Sequence, residues 1–218
     1  MKLGLTPKFS ARLLAVTASL LMITTAHAAP EAQFQPAFEQ FLQASKGNES
    51  AIEKSAEAFT VLLKSEPTNP VLMAYAGAAT SMKANTTWLP WKKMSYAEDG
   101  LAMLDKALAM LTPAHDAVLQ NKLPAVLEVR FVAASTFLAV PGFMNRGARG
   151  AKLLNEVLSS PLLAASPLQF RGDVWLAGAS LAAKEKRPDD ARKYLNQVIQ
   201  SSAPQAEAAR VQLKALAS

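Results

Sequence analysis

The sequence predicts an all-α protein, and three observations carry that prediction. No stretch after Ala29 alternates polar and apolar residues with period two over a useful length. Apolar residues recur at three and four instead, as in Phe34, Phe38, Phe41 and Leu42, or Ile52, Ala56, Phe59, Leu62 and Leu63. Prolines and clusters of Asn, Gly and Asp punctuate these runs. Alanine is abundant within them: Ala74, Ala76, Ala78 and Ala79 in one run, Ala177, Ala179, Ala182 and Ala183 in another. Small residues leave little side chain between backbones, which lets helices pair closely as hairpins. The pattern predicts about nine helices, near 31–45, 49–65, 70–84, 90–111, 123–139, 145–159, 167–186, 188–202 and 204–216. Pro70, Pro90, Pro124, Pro188 and Pro204 stand at helix starts, where a first-turn proline loses no hydrogen bond.

Residues 1–28 read as a cleavable signal peptide. Lys2, Lys8 and Arg12 form a basic start, Leu13 to Ile23 is an apolar run of 11 residues, and Ala26-His27-Ala28 supplies the small-x-small cleavage pattern. The run is short of the roughly 20 residues a spanning helix needs. No cysteine follows it, so a lipid-modified N-terminus is not expected. The expected product is a single domain, 29–218, exported to a bacterial periplasm, with secretion as the second option; the absence of cysteine suits the periplasm better than a disulfide-rich secretory route. Three of the 23 basic residues and none of the 17 acids fall in the leader, so the mature net charge drops from +6 to +3. That is too little for a strongly basic nucleic-acid binder.

Composition also narrows the chemistry. Zero cysteine excludes thiol catalysis, thiolate metal sites and disulfides. With His27 in the leader, only His115 remains, which excludes a histidine dyad. HExxH, GxSxG, the Walker glycine loop and GxGxxG are all missing. His115-Asp116 follows Thr112-Pro113 and reads as a turn and helix start; Asp189-Asp190 reads as negative charge suited to a helix N-terminus. No catalytic residue, cofactor or metal is expected.

Internal repeats follow from the helix pairing. Trp175, Ala179, Ala191, Leu195 and Val198, then Pro204, resemble the tetratricopeptide repeat, a helix pair of about 34 residues. They take its positions 4, 8, 20, 24 and 27, with Pro204 one residue past the expected proline. The clearest repeat is 172–205. In it Trp175 fills the groove between two helices and Ala179 and Ala191 are the small pair; if Trp175 is buried, Trp175→Ala costs roughly 3–5 kcal/mol. A looser match places Phe59, Leu62 and Pro67 at 24, 27 and 32, then Met73, Gly77 and Ala79 at 4, 8 and 10 of the next repeat. Ala107 follows at 27 only if about 11 extra residues lie between the two helices, in the segment 85–96. Asn69-Pro70, Tyr75-Ala76-Gly77 and Trp88-Leu89-Pro90-Trp91-Lys92-Lys93 also look like a group of exported bacterial repeat proteins with no assigned activity. The resemblance implies a right-handed stack of antiparallel helix hairpins, a TPR-like α-solenoid with degenerate repeats. It further implies a concave face that binds a peptide or partner protein, with no cofactor and no chemistry.

Two constellations are candidate partner-binding surfaces. Trp88, Trp91, Lys92, Lys93 and Tyr96 crowd aromatics and cations into the inserted segment, as recognition loops do; the plainer reading has the tryptophans plug the hairpin end and the lysines solvated. Arg146, Arg149 and Lys152 fall three apart as a basic stripe on a helix beginning near Asn145, able to clamp a carboxylate, phosphate or lipid head group. The plainer reading is a solvated face with Glu156 pairing Lys152 at i, i+4. Val140-Pro141-Gly142-Phe143-Met144 just before it is an apolar loop that touches a membrane or partner, or tucks under the next helix. The expected function is a non-enzymatic protein or peptide interaction scaffold, with peripheral contact to a membrane or membrane complex as a further option. The alternatives are a carrier for a small amphipathic or anionic ligand, in a pocket of Phe, Met and Leu with an arginine at its mouth, and an accessory subunit of an envelope transport or secretion complex.

Overall fold

The computed structural model describes residues 31–216, and these are almost entirely helical. The signal-peptide reading lies outside the described residues. The helices are α1 (Glu31–Ser45), α2 (Glu49–Ser65), α3 (Pro70–Met82), α4 (Pro90–Ala109), α5 (Ala125–Ala139), α6 (Gly147–Leu158), the single turn α7 (Leu162–Ala165), α8 (Leu168–Lys184), α9 (Pro188–Gln200) and α10 (Ala206–Ala215). Local chemistry sets several of these starts. Asn48 Oδ1 accepts from the Ala51 N–H at 3.2 Å, and Asn69 Oδ1 accepts from Val71 and Leu72 N–H at 3.0 and 3.2 Å. Each satisfies first-turn donors that the helix itself leaves orphaned. Pro70, Pro90 and Pro188 occupy the first helical positions as expected.

Three starts differ from the expectation, two of them where a non-glycine residue takes positive φ. Residues 123–124 are not helical. Asn121 and Lys122 both have positive φ, 51° and 56°, and turn the chain so that β1 (Val118–Gln120) pairs antiparallel with β2 (Leu123–Pro124). Pro124 therefore caps α5 instead of entering it. The helix expected from Asn145 begins at Gly147, because Asn145 is left-handed with φ 55° after the short turn Gly142–Met144. Pro204 precedes α10 by two residues. Of the segment 85–96, residues 90–96 form the first turns of α4.

Packing follows chain order. The pairs α1–α2, α3–α4, α5–α6 and α8–α9 pack against each other, and α10 covers α9. The pairs lean on one another through α2–α3, α1–α3, α3–α5, α4–α5 and α6–α8. A main core runs from Phe34 to Leu181. Its aromatic centre joins α1, α2 and α3: Phe59 stacks on Tyr75 at 4.9 Å, and Phe34 meets both edge-on at 5.7 and 5.6 Å. A smaller core in α8–α10 gathers Ala179, Leu195, Val198, Ala203 and Ala209.

Ala179, Ala191, Leu195 and Val198 are all buried, whereas Trp175 is half-buried at the edge of the smaller core, with the Arg171 guanidinium 5.7 Å from its ring centroid. Its partial burial scales down the cost of truncation. Trp175→Ala is expected to lower stability by about 2 kcal/mol. That corresponds to a melting temperature about 5 °C lower by calorimetry; a loss beyond twice that would mean the ring is a central strut.

Candidate functional site

The first candidate surface sits at the outer end of α4. Trp88 and Trp91 are 83% and 67% exposed, so neither plugs the hairpin, and Lys92 and Lys93 are exposed beside them. Tyr96 behaves differently. It is half-buried, and Lys83 Nζ lies 4.8 Å from its ring centroid while pairing with Glu53 at 3.0 Å. Tyr96 thus belongs to the packing between α4 and the end of α3, and the two tryptophans stand free of it.

The basic stripe is divided. Arg146 and Arg149 converge on one acceptor, Asp105 of α4, at 3.0 and 2.6 Å. Both guanidinia also lie 5.4 Å from the Phe137 ring centroid. Two of the three cations are thus already engaged by a carboxylate and an aromatic ring, tying α6 to α4 and α5. Lys152 is exposed, and Glu156 pairs with Arg130 at 3.4 Å instead of with Lys152. The apolar loop before the stripe is split: Val140 and Met144 pack against the main core, whereas Phe143 is 68% exposed. A shallow depression of about 300 Å3, lined by Met94, Leu101, Asp105, Phe143 and Arg146, joins this turn to α4. Of the two sequence-read constellations, only Arg146 lines this depression.

A second feature has no counterpart in the sequence reading. A cavity of about 930 Å3 opens among α1, α3, α5 and α8, the first helix of each hairpin. Phe38, Phe41 and Leu42 of α1, Met82 of α3, Phe131 and Val132 of α5 and Phe170 of α8 are among the apolar side chains of its wall. Phe131 and Phe170 meet edge-on at 5.3 Å, closing the wall between α5 and α8. Among the described residues no arginine lines it, in contrast to the arginine-mouthed pocket the carrier reading expected.

The polar part of that wall is acidic. Glu128 of α5 is 1% exposed. Its Oε1 accepts from Tyr75 Oη at 2.8 Å and from Asn121 Nδ2, while Oε2 is buried with no hydrogen-bond partner among the described residues. Burial pushes its pKa from 4.5 up to about 8, against the lowering effect of the Asn121 and Tyr75 hydrogen bonds. The Tyr75 hydroxyl is raised well above its ordinary value, first by burial and then by Glu128. Asp173 of α8 also lines the cavity. Its Oδ1 accepts from Gln205 Nε2 at 2.6 Å, and burial raises its pKa. Lys46 and Glu49 complete the charged lining.

His115, the one histidine among the described residues, lies away from this cavity in the turn Pro113–Asp116, where its Nδ1 accepts from the Thr112 N–H at 3.0 Å. No described helix is long and apolar enough to cross a membrane. Glu128 left one trace in the sequence: it and Arg130 are the only charges in the otherwise apolar run 123–139. The helix keeps a partly exposed face at Arg130, Ser135 and Ala139, so the run by itself did not fix which way Glu128 points. Comparison with protein-family models, with curated proteins and with solved structures finds no match to this chain.

Proposed function

We propose that the chain is a non-enzymatic binding protein whose working part is the cavity among α1, α3, α5 and α8, and that an apolar or amphipathic small molecule is its ligand. The observation that carries this reading is the cavity itself, about 930 Å3 with aromatic walls drawn from four helices. Binding sites for small molecules have that size and character. An apolar dye, N-phenyl-1-naphthylamine, is the direct test. It should bind one per chain with increased fluorescence, and Ser135→Trp should weaken binding at least about tenfold by filling the space. Ser135 is exposed at the cavity edge, so the variant should melt within about 2 °C of wild type. Absence of dye binding to wild type would overturn the reading.

The tetratricopeptide-like architecture belongs to the same proposal. Two features support it. The first helix of every pair lines one cavity, as the inner helices of such a solenoid line its concave face. In addition, Gly77 and Gly100 touch across α3 and α4; with the 11-residue insertion allowed for, they fall at the small positions 8 and 20. Export to the periplasm rests on the leader in 1–28, and mass spectrometry of the mature protein should find Ala29 first.

A second reading, attachment to a partner protein or a membrane complex, is favoured by Trp88, Trp91 and Phe143, three large exposed aromatic side chains. Truncating Trp88 and Trp91 together to alanine should leave the melting temperature within about 2 °C, since neither is buried. Cross-linking from the native envelope followed by mass spectrometry should then lose a partner that wild type retains. Retention of that partner would remove the tryptophans from the interface.

A further inference from the structure

We infer that the cavity selects amphipathic cations: molecules with an apolar body and a protonated amine that docks on the carboxyls of Glu128 and Asp173. The inference rests on the cavity being a ligand site, as proposed above, and adds what the ligand's polar end must be.

Three observations lead there. First, among the described residues the ionisable groups of the lining are the acids Glu49, Glu128 and Asp173 against one base, Lys46. An anionic head would meet net repulsion in a site where low dielectric magnifies it. Second, the donors already in place are spent on one side of Glu128. Tyr75 and Asn121 both give to Oε1, leaving Oε2 buried and unpartnered among the described residues. In the ionised form of Glu128, Oε2 is a buried acceptor without a donor and carries a penalty that a ligand N–H relieves. An ammonium brings up to three donors and a compensating charge, an alcohol one donor and no charge, a carboxylate neither. Third, the aromatic rings of Phe38, Phe41, Phe131 and Phe170 line the same space. They bury an apolar tail, and their faces attract a cation passing over them.

Proton bookkeeping gives the site a signature. With a pKa of about 8, Glu128 is mostly neutral at pH 7 in the free protein. The groups that act on it are Glu31 from α1, which raises its pKa, and Tyr75 from α3 and Asn121 from the β-hairpin, which lower it. Asp173 from α8 acts on Tyr75, and Lys46 in turn lowers Asp173. An ammonium binds the ionised carboxylate, so each binding event at pH 7 releases a proton from Glu128 to solvent. Affinity therefore rises with pH until Glu128 is ionised in the free protein, and levels off while the amine stays protonated.

Displacement of N-phenyl-1-naphthylamine by decylamine, decanol and decanoate, each below its aggregation concentration, tests this. Decylamine should bind at least about tenfold more tightly than decanol at pH 9, and its affinity should rise about tenfold between pH 7 and pH 9 while that of decanol stays flat. Decanoate should be the weakest of the three. Glu128→Gln should abolish the pH dependence and cut the preference for the amine to within about threefold. Asp173→Asn, at a half-buried position, should reduce the same preference, which keeps the test available if the Glu128 variant folds poorly. Equal affinity of wild type for decylamine and decanol, or tightest binding of decanoate, would overturn the inference and leave the ligand site standing. Failure of the dye and all three probes to bind would overturn both.

Discussion

Gly100→Ala is expected to be among the most damaging single-methyl changes in the protein. A Cβ at Gly100 would stand 2.4 Å from the Gly77 carbonyl oxygen, 2.6 Å from the Ser81 nitrogen and 2.7 Å from the Ser81 Cβ. The first two are backbone atoms of α3 and cannot swing aside, so one helix must move off the other. Intrinsic propensity favours alanine over glycine in a helix by about 1 kcal/mol, and separating α3 from α4 must cost more than that to reverse the sign. A net loss of about 3 kcal/mol is expected, or a melting temperature on the order of 10 °C lower. Gly147→Ala is the matched control. Nothing lies within 4 Å of its Cβ position, so it should stabilise α6 slightly or change nothing. Because α3 also carries Tyr75 and Met82 into the cavity wall, Gly100→Ala should weaken dye binding as well as folding. A wild-type melting temperature for Gly100→Ala would mean that the two helices do not meet at this register.

The helices were legible because periodicity and capping are local. Asn48, Asn69, Pro70 and Pro188 signal starts that depend on the first turn alone, and the structure places helices at each. The starts of α5 and α6 were misplaced where a non-glycine residue takes positive φ. Asn121-Lys122 makes a tight turn without the glycine that normally announces one, and Asn145 ends the preceding short turn the same way. Charge partners were misread for a different reason. Arg146 and Arg149 are visible as a stripe, but their acceptor Asp105 lies about forty residues earlier, on another helix. The cavity was the least legible feature. Its wall draws on residues from Phe38 to Asp173, and no spacing within one helix records that four helices leave a gap between them. Nor did the apolar run single out Glu128, because Arg130 two residues on, in the same run, is half-exposed.

The fold and the proposed ligand meet at that residue. Asn121, held at positive φ in the β-hairpin turn, and Tyr75, held by the stack with Phe59, are fixed by structure that surrounds the cavity. Both aim donors at Glu128 Oε1. The hydrogen bonds that position the carboxyl are therefore built into the scaffold, while Oε2 is left without a donor among the described residues. Packing explains why a helix as apolar as α5 tolerates the acid, and the unpartnered oxygen explains why tolerance is incomplete.

That incomplete tolerance should appear as a stability that falls as pH rises. In the unfolded chain Glu128 ionises near 4.5, and in the folded protein near 8. Between those values the folded state holds a proton that the unfolded state has lost, so each step up in pH favours unfolding. The contribution is fully present below pH 4.5, declines between pH 5 and pH 8, and is gone above about 8.5. At about 1.4 kcal/mol per pH unit, the loss across this window approaches on the order of 5 kcal/mol. Most buried carboxylates that are paired in the native state give the opposite slope, so the sign is diagnostic. Glu128→Gln keeps an oxygen to accept from Tyr75 and Asn121 and cannot ionise. It should be close to wild type at pH 5 and more stable than wild type at pH 8, with the difference growing steadily across the interval in urea titrations. A bound amphipathic amine should shrink that difference by stabilising the ionised wild type at pH 8 and leaving the glutamine variant little changed. A wild type and variant that run parallel from pH 5 to pH 8 would mean that the Glu128 carboxylate is solvated in the folded protein, and the argument for a buried acid at the cavity wall would end there.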